Sequence, residues 1–248
     1  MSTTAIEPLH PGGFPYDRPV GLFLNMTAVR SSDAAAVAAA AAGFAALHDV
    51  RAELVPVEAD MQRKVALVVP PVNGWVVINW PRHIRFLIGA SRWLSGELNT
   101  VTSVVDVFEG VDWSHVAISG GEIRDRYSTT PRNRVPPGTT SREANRRWGG
   151  NPRVVGETFG VDPDLIAPYF AGINIRLLKV LWRHARPSYS GKVWPDDESP
   201  LWDVWVFADL WRRLGITYPQ SQAAAGEHRI GVAYATFDSP FPIDSASD

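Results

Sequence analysis

The feature that most constrains the fold is an alternation of short apolar runs with helical patterns in the first half of the chain. Residues 20–29 are apolar and rich in strand formers, and the polar residues 31–33 that follow are good helix N-caps. An alanine-rich tract comes next, in which Val37, Ala41 and Phe44 share one helical face. This stretch predicts a strand followed by a helix that can pack closely on a sheet.

The same alternation continues to residue 128. A second helix is predicted over residues 82–98, because Pro81 suits a first helical position and apolar residues then recur every third or fourth place. The other strand patterns are residues 51–57, 65–69, 75–78, 101–108, 113–118 and 123–127. The order β-α-β-β-α-β with an extra hairpin strand predicts a ferredoxin-like α+β fold, with two helices on one face of an antiparallel sheet.

Proline and glycine clusters divide the rest of the chain. The predicted organisation is an irregular N-terminal arm over residues 1–19, an α+β sandwich over 20–130, a mainly helical part over 131–238 and a flexible tail over 239–248. The helical patterns of the third part fall at residues 162–170, 174–184 and 201–214, and the last is unusually rich in tryptophan. We expect this part to pack on the sandwich.

Composition excludes several functional classes. The chain has no cysteine, so disulfides, thiolate nucleophiles and sulfur-ligated zinc are impossible. With 24 basic and 26 acidic residues, no bulk charge favours nucleic acid or an anionic membrane, and we expect neither as a partner. The N-terminus resembles no secretory signal and no apolar run is long enough to span a bilayer, which predicts a soluble cytoplasmic protein.

Linear motifs for cofactors and metals are missing. Ser190-Gly191-Lys192 lacks the upstream glycine and the hydroxyl residue of a phosphate-binding loop, and the six histidines are scattered rather than paired. The acidic run Asp196-Asp197-Glu198 lacks the ligand spacing of a calcium loop and is expected to be a solvated loop. We therefore expect no metal and no cofactor.

The hairpin of residues 113–127 is the most informative segment for function. If Gly120 and Gly121 form its two-residue turn, strand alternation places Trp113, His115, Arg124 and Arg126 on one polar, aromatic face. These residue types are enriched in binding hot spots, so we expect this face to bind a partner. The alternative is a solvated sheet surface held together by cation–π contacts.

The opposite face of this hairpin carries a polar pair of its own. The same register places Asp125 opposite Val116 and Tyr127 opposite Ser114 on the apolar side. A carboxylate there is costly unless a partner satisfies it, so Asp125 is either part of a structural ion pair or a catalytic base.

Together these patterns favour a soluble, non-catalytic interaction protein, such as an inhibitor, an immunity-type protein or an adaptor, acting on another protein through a Trp/Arg-rich surface. An enzyme with a dispersed site built from His115, Asp125 and Tyr127 or Arg126 stays open, because such a site leaves no linear motif. A small-molecule pocket between the sheet and the C-terminal helices also stays open.

Overall fold

The chain folds around one eight-stranded antiparallel sheet, which confirms the α+β class. The computed structural model describes residues 23–47, 52–56, 65–81, 86–170, 191–219 and 230–234. The strands are β1 (Leu24–Arg30), β2 (Ala52–Pro56), β3 (Val65–Val68), β4 (Trp75–Asn79), β5 (Val101–Phe108), β6 (Asp112–Ser119), β7 (Glu122–Ser128) and β8 (Ile230–Tyr234). Their spatial order is β2-β8-β3-β4-β1-β5-β6-β7.

Strand β1 lies between β4 and β5 and pairs with both in antiparallel register. Six of its seven residues are buried, because both faces of the sheet are covered. The apolar run at the start of the sequence therefore forms a central strand, as continuous apolar patterning favours.

Among the described residues, six helices flank the sheet: α1 (Ala34–Ala46), α2 (Leu87–Glu97), α3 (Ser141–Trp148), α4 (Pro152–Phe159), α5 (Pro163–Ile166) and α6 (Val206–Arg213). Two short 3-10 helices lie at Pro131–Arg134 and Ala167–Phe170. The Asp33 side chain caps α1 by accepting a hydrogen bond from the Ala36 amide. None of the described helices is long and apolar enough to cross a membrane.

Helices α1 and α2 cover the same face of the sheet. Val37 and Phe44 of α1 share a buried cluster with Leu94 of α2 and with Val104 and Ile118 of the strands. The alanines of α1 let its backbone approach the sheet closely, and the Trp93 indole of α2 donates to a carbonyl of α1.

The C-terminal elements cover the opposite face. Their apolar side chains share a second buried cluster with inward residues of β1, β5, β6 and β7. The contributors from the C-terminal side include Val155, Phe159, Ile166, Tyr169, Phe170, Phe207, Leu210 and Trp211. The sheet is thus the middle layer of three.

Two details of the second half differ from the sequence prediction. Strand β8 lies inside the sheet between β2 and β3, although no strand was expected there, since its partners are more than 150 residues away in sequence. The Trp-rich helix begins only at Val206, because Asp203 forms a turn whose side chain accepts from the Trp205 amide. The arm of residues 1–19, the helix at 174–184 and the tail at 239–248 lie outside the described residues.

The outer edge of β7 is partly covered by the chain between α3 and α4. Gly149 forms a β-bridge with Tyr127, and the Gly150 amide donates to the Arg126 carbonyl over 3.0 Å. Covering an edge strand in this way removes unpaired backbone groups from solvent.

Gly150 is required by this close approach. It has a φ of +73°, and an added Cβ would stand 2.5 Å from a ring carbon of Phe170 and 3.0 Å from one of Tyr127. Gly160 has the same φ of +73° with no atom within 4 Å of an added Cβ.

We expect Gly150→Ala to lower the free energy of unfolding by about 2–5 kcal/mol, from backbone strain plus overpacking. The control Gly160→Ala should cost only the strain, about 1–2 kcal/mol. Urea unfolding measures both variants. Equal losses of unfolding free energy in the two variants would show that the Phe170 and Tyr127 rings move aside at no energetic cost.

Candidate functional site

The polar face predicted on the β6–β7 hairpin is buried. Trp113 is 1% exposed and His115 is 0% exposed. Both lie in the layer between the sheet and the C-terminal helices, where the His115 ring is 6.1 Å from the Phe159 ring and 6.2 Å from that of Phe170. The expectation of an exposed Trp113–His115 surface is wrong, because the second half of the chain packs over it.

The predicted hairpin register holds only next to the turn. Ile118 faces Ile123 as expected, but Arg124 is an extra residue in β7, so Asp125 pairs with Ala117 and Tyr127 with His115. This β-bulge turns every later residue of β7 to the other face. The predicted pairs of Asp125 with Val116 and of Tyr127 with Ser114 are therefore wrong.

The bulge also separates the four predicted binding residues. Arg124 is exposed, at 50% of its side chain, and approaches Glu122 at 3.5 Å. Arg126 pairs with Val116 on the opposite face from Trp113, with its guanidinium 5.8 Å from the centroid of the Trp148 ring. Trp113 and His115 remain together, but neither arginine joins them.

Instead, the structure brings together three residues of the alternative enzyme site that the sequence left open. His115, Asp125 and Tyr127 lie on the same face of the hairpin, and all three are buried or partly buried. The Asp125 carboxylate accepts from the backbone amides of Asn151 and Arg126, while its Oδ2 has no hydrogen-bond partner among the described residues.

His115 belongs to a buried hydrogen-bond chain. The Trp211 indole donates to Ser103 Oγ over 2.9 Å, and Ser103 Oγ lies 2.9 Å from His115 Nε2. The Ser103 hydroxyl has one hydrogen and two acceptor lone pairs, so besides accepting from Trp211 it can either donate to Nε2 or accept from it, according to the tautomer of the ring. Nδ1 has no partner among the described residues.

Burial sets the protonation of these groups at neutral pH. It lowers the pKa of His115 to about 3, so the imidazole stays neutral. It raises the pKa of Asp125 to about 6, although two backbone amides oppose the shift. The pKa of Tyr127 is also raised, mainly by burial and further by the Asp112 charge. The neutral imidazole and the Asp125 carboxyl thus share one face of the hairpin, and the imidazole is enclosed by the rings of Phe159 and Phe170.

A different group of charged residues is open to solvent, and we name Arg124, Arg142, Arg146 and Arg147 the arginine surface. The last three belong to α3, whose inward residues Ala144 and Trp148 are buried. Thr140 caps α3 by accepting from the Glu143 amide. Arg126 beneath it contacts the Trp148 ring, so the helix is fixed to β7.

Charge is concentrated in this part of the chain. Residues 120–153 contain eight arginines and three carboxylic acids, so their formal net charge is 8 − 3 = +5. The whole chain carries −2, which leaves −7 for the remaining residues. The near-neutral total conceals a strongly basic segment.

The acidic run of residues 196–198 is not simply a solvated loop. Asp197 is 2% exposed and accepts from the Tyr169 hydroxyl over 2.8 Å and from Arg213 over 2.7 Å. A hydrogen bond from Arg213 also holds the pKa of Asp196 below its usual range. The expectation of solvation is wrong for Asp197, because the arginines at the end of α6 pair with it.

A small cleft lies beside this network. It has a volume of about 170 Å³ and lies between the β3–β4 turn and the C-terminal layer. Its lining includes Asn73, Glu198, Asp209, Arg212, Thr217 and Tyr218. The sequence left open a small-molecule pocket between the sheet and the C-terminal helices but did not identify its lining, since these residues come together only in the fold. Among the described residues, no group of three or more His, Asp or Glu side chains could hold a metal ion.

The buried imidazole gives a pH-dependent prediction. With a pKa near 3 in the folded state and 6.5 in the unfolded chain, His115 contributes stability that is complete above pH 6.5 and is lost as the pH falls. The stability advantage of the wild type over His115→Gln should therefore shrink by about 3 kcal/mol between pH 7 and pH 4. Urea unfolding at both pH values measures it, and a constant difference would contradict the neutral buried ring.

Asp125 makes the stability of the fold depend on pH in the opposite direction. Its folded-state pKa lies above the unfolded value of 3.8, so this group lowers the stability of the fold progressively as the pH rises from about 3.8 to about 6, and the loss is complete above that. Asp125→Asn keeps an oxygen for the Asn151 amide and removes the charge. We expect the variant to be more stable than the wild type by about 2–3 kcal/mol at pH 7.5, with the gain vanishing near pH 4. Thermal unfolding across this range tests it, and a destabilised variant at pH 7.5 would show that the carboxylate has a cationic partner.

Comparison with known proteins returns no match to a family model, a curated protein or a solved structure. The described residues nonetheless present two solvent-accessible features of opposite chemistry, the arginine surface and the cleft.

Proposed function

We propose that this is a non-catalytic interaction protein, of the inhibitor, immunity or adaptor kind, that binds an acidic surface of another protein through the arginine surface. The observation that carries the proposal is the excess of exposed guanidinium groups on α3 and β7. Trp113 and His115, which the sequence placed in the binding face, have a packing role in this proposal.

The first support is positive charge that the nearby carboxylates do not balance. The side chains of Arg146 and Arg147 are 77% and 40% exposed, and both approach the same carboxylate, that of Glu143. Arg142 has no ion pair among the described residues. One glutamate therefore offsets three arginines of α3, and exposed pairs of this kind are weak enough to exchange for a partner's carboxylates.

The second support is a rigid platform. Trp148 is 7% exposed, and Arg126 contacts its ring. The helix N-cap and the β-bridge of Gly149 to Tyr127 hold the two ends of α3. A helix that is already fixed loses less conformational entropy on binding than a mobile segment, which suits it to an interface.

The charge distribution favours a protein over a nucleic acid. A long polyanion would meet the remaining −7 of the molecule as well as the basic segment, whereas a protein can present a local acidic patch. A cytoplasmic location remains part of the proposal, supported by the absence of cysteine from the sequence.

We further propose that strands β3, β4, β1 and β5 form a ferredoxin-like core to which the other strands are added. The support is their order, with β1 between β4 and β5, and the placement of α1 and α2 on one face. A small-molecule site between the sheet and the C-terminal helices is a second proposal, supported by the cleft.

The arginine surface is tested with matched charge reversals. Arg146→Glu changes the centre of the surface, where the arginine side chain is 77% exposed. The matched variant, Arg153→Glu, changes an arginine of α4 whose side chain is 82% exposed and also pairs with a glutamate. Immobilised wild type and both variants are compared in capture from native-host extract, and the captured protein is then purified for calorimetry.

We expect an acidic protein whose affinity falls on the order of tenfold with Arg146→Glu and with added salt, but stays nearly unchanged with Arg153→Glu. Equal binding by Arg146→Glu would refute the surface. Loss of retention after nuclease treatment would show that the partner is a nucleic acid instead.

A further inference from the structure

The cleft is built from segments that are far apart in sequence. Asn73 comes from the turn before β4, and its side chain donates to Thr217 Oγ1 over 3.2 Å. Glu198 and Arg212 come from the C-terminal layer, and Tyr218 follows α6. Because several elements hold its walls, the cleft is a feature of the folded core rather than of a single loop.

Most charged groups around the cleft already have ion-pair or hydrogen-bond partners within the protein. Asp209 is 2% exposed and accepts the backbone amides of Glu198 and Ser199 at 3.0 and 2.9 Å. The Arg212 guanidinium contacts Asp196, Asp197 and Asp209 within 3.1 Å. Its positive charge is therefore matched by carboxylates and is not available to an anionic ligand.

The remaining electrostatic balance of the cleft is negative. Among the charged residues that line it, Glu198 and Asp209 are negative and Arg212 is positive, so the formal net charge of the lining is 1 − 2 = −1. The Glu198 side chain is exposed and makes no ion pair among the described residues. It is the carboxylate of the cleft lining that is left for a ligand.

A buried tyrosine provides an independent sign of a ligand site. Tyr218 is 7% exposed, and its ring packs edge-on against the rings of Trp205 and Phe207 at 5.6 and 5.7 Å. It lines the cleft, and its hydroxyl has no hydrogen-bond partner among the described residues. The hydroxyl is not itself fully buried, so the residue presents an accessible, unpartnered hydroxyl to whatever enters the cleft.

We propose that the cleft binds the cationic end of an alkyl ammonium or guanidinium group, with the Glu198 carboxylate as counterion and the Tyr218 hydroxyl as hydrogen-bond acceptor. Asn73 has an amide oxygen that serves as a further acceptor. The apolar side chains of Ala208 and Ile216, which also line the cleft, suit the alkyl part of such a group.

The size of the cleft agrees with this class of ligand. At about 30 Å³ per water molecule, 170 Å³ corresponds to five or six waters, well below the roughly 300–1,000 Å³ of pockets for drug-sized ligands. One extended amine or one basic side chain fills such a volume. This inference gives a ligand class to the proposed small-molecule site and is independent of the arginine surface.

The test is calorimetric titration of the full chain with 1,5-diaminopentane, with 1-pentanol as the uncharged comparison. We expect saturable binding of the diamine and none of the alcohol, with affinity reduced on the order of tenfold by Glu198→Gln and several-fold by Tyr218→Phe. Glu157→Gln, which changes an exposed glutamate of α4, is the matched control and should bind as the wild type does.

Absence of diamine binding at millimolar concentration would overturn the proposal. So would equal binding of the alcohol, or wild-type affinity in both Glu198→Gln and Tyr218→Phe. Thermal unfolding of each variant establishes that it is folded, and Glu198→Gln is the decisive one because its side chain is exposed.

The source of the cation is distinguished by a second titration, with an acetylated and amidated Gly-Lys-Gly peptide. Tighter binding of the peptide than of the diamine identifies a basic side chain of a protein partner. The reverse order identifies a free amine. Both results support the cation site, and the Arg146→Glu variant should behave as the wild type in either titration.

Discussion

The hydrogen bond from the Trp211 indole to Ser103 determines how the two halves of the chain meet. The indole comes from α6 and is fully buried, while Ser103 lies in β5 and also hydrogen-bonds His115 of β6. A buried indole N–H without an acceptor would cost about 1–3 kcal/mol, so α6 is favoured in the one position where this acceptor is met. The apolar contacts around it then pack in that register.

This packing leaves little of either face of the sheet exposed among the described residues. Helices α1 and α2 cover one face and the C-terminal elements cover the other, so Trp113 and His115 of the hairpin are buried in the core. Within the part of the chain that the structure describes, two open features lie at the margins: α3 beside the outermost strand β7, and the cleft next to the turn before β4. The two margins differ in charge, which suits them to different ligands.

The sequence predicted most elements of the first half because each depends on local patterning. The Asp33 cap, the apolar stripe of α1 and the Gly120–Gly121 turn all appear where the pattern placed them. The errors come from information that is not local. Nothing in the sequence around Arg124 marks a bulge, yet that one residue reverses the orientation of Asp125, Arg126 and Tyr127.

The same limit applies to the candidate sites. The burial of Trp113 and the pairing of Asp197 with Arg213 both depend on contacts between distant segments. The position of β8 depends on pairing across most of the chain. The basic segment is visible in the sequence itself, because eight arginines within residues 120–153 stand out against a net charge of −2.

His115 and Asp125 lie on the same buried face but respond to acid in opposite ways. As the pH falls from about 6 to about 4, the unfolded chain gains a proton at His115 and the folded chain gains one at Asp125. Each effect has a slope of about 1.4 kcal/mol per pH unit, with opposite signs, so they nearly cancel. Between about pH 6 and pH 4 the pair therefore contributes almost no net pH dependence, and only below about pH 3.8, where Asp125 is protonated in the unfolded chain as well, is the buried imidazole left uncompensated.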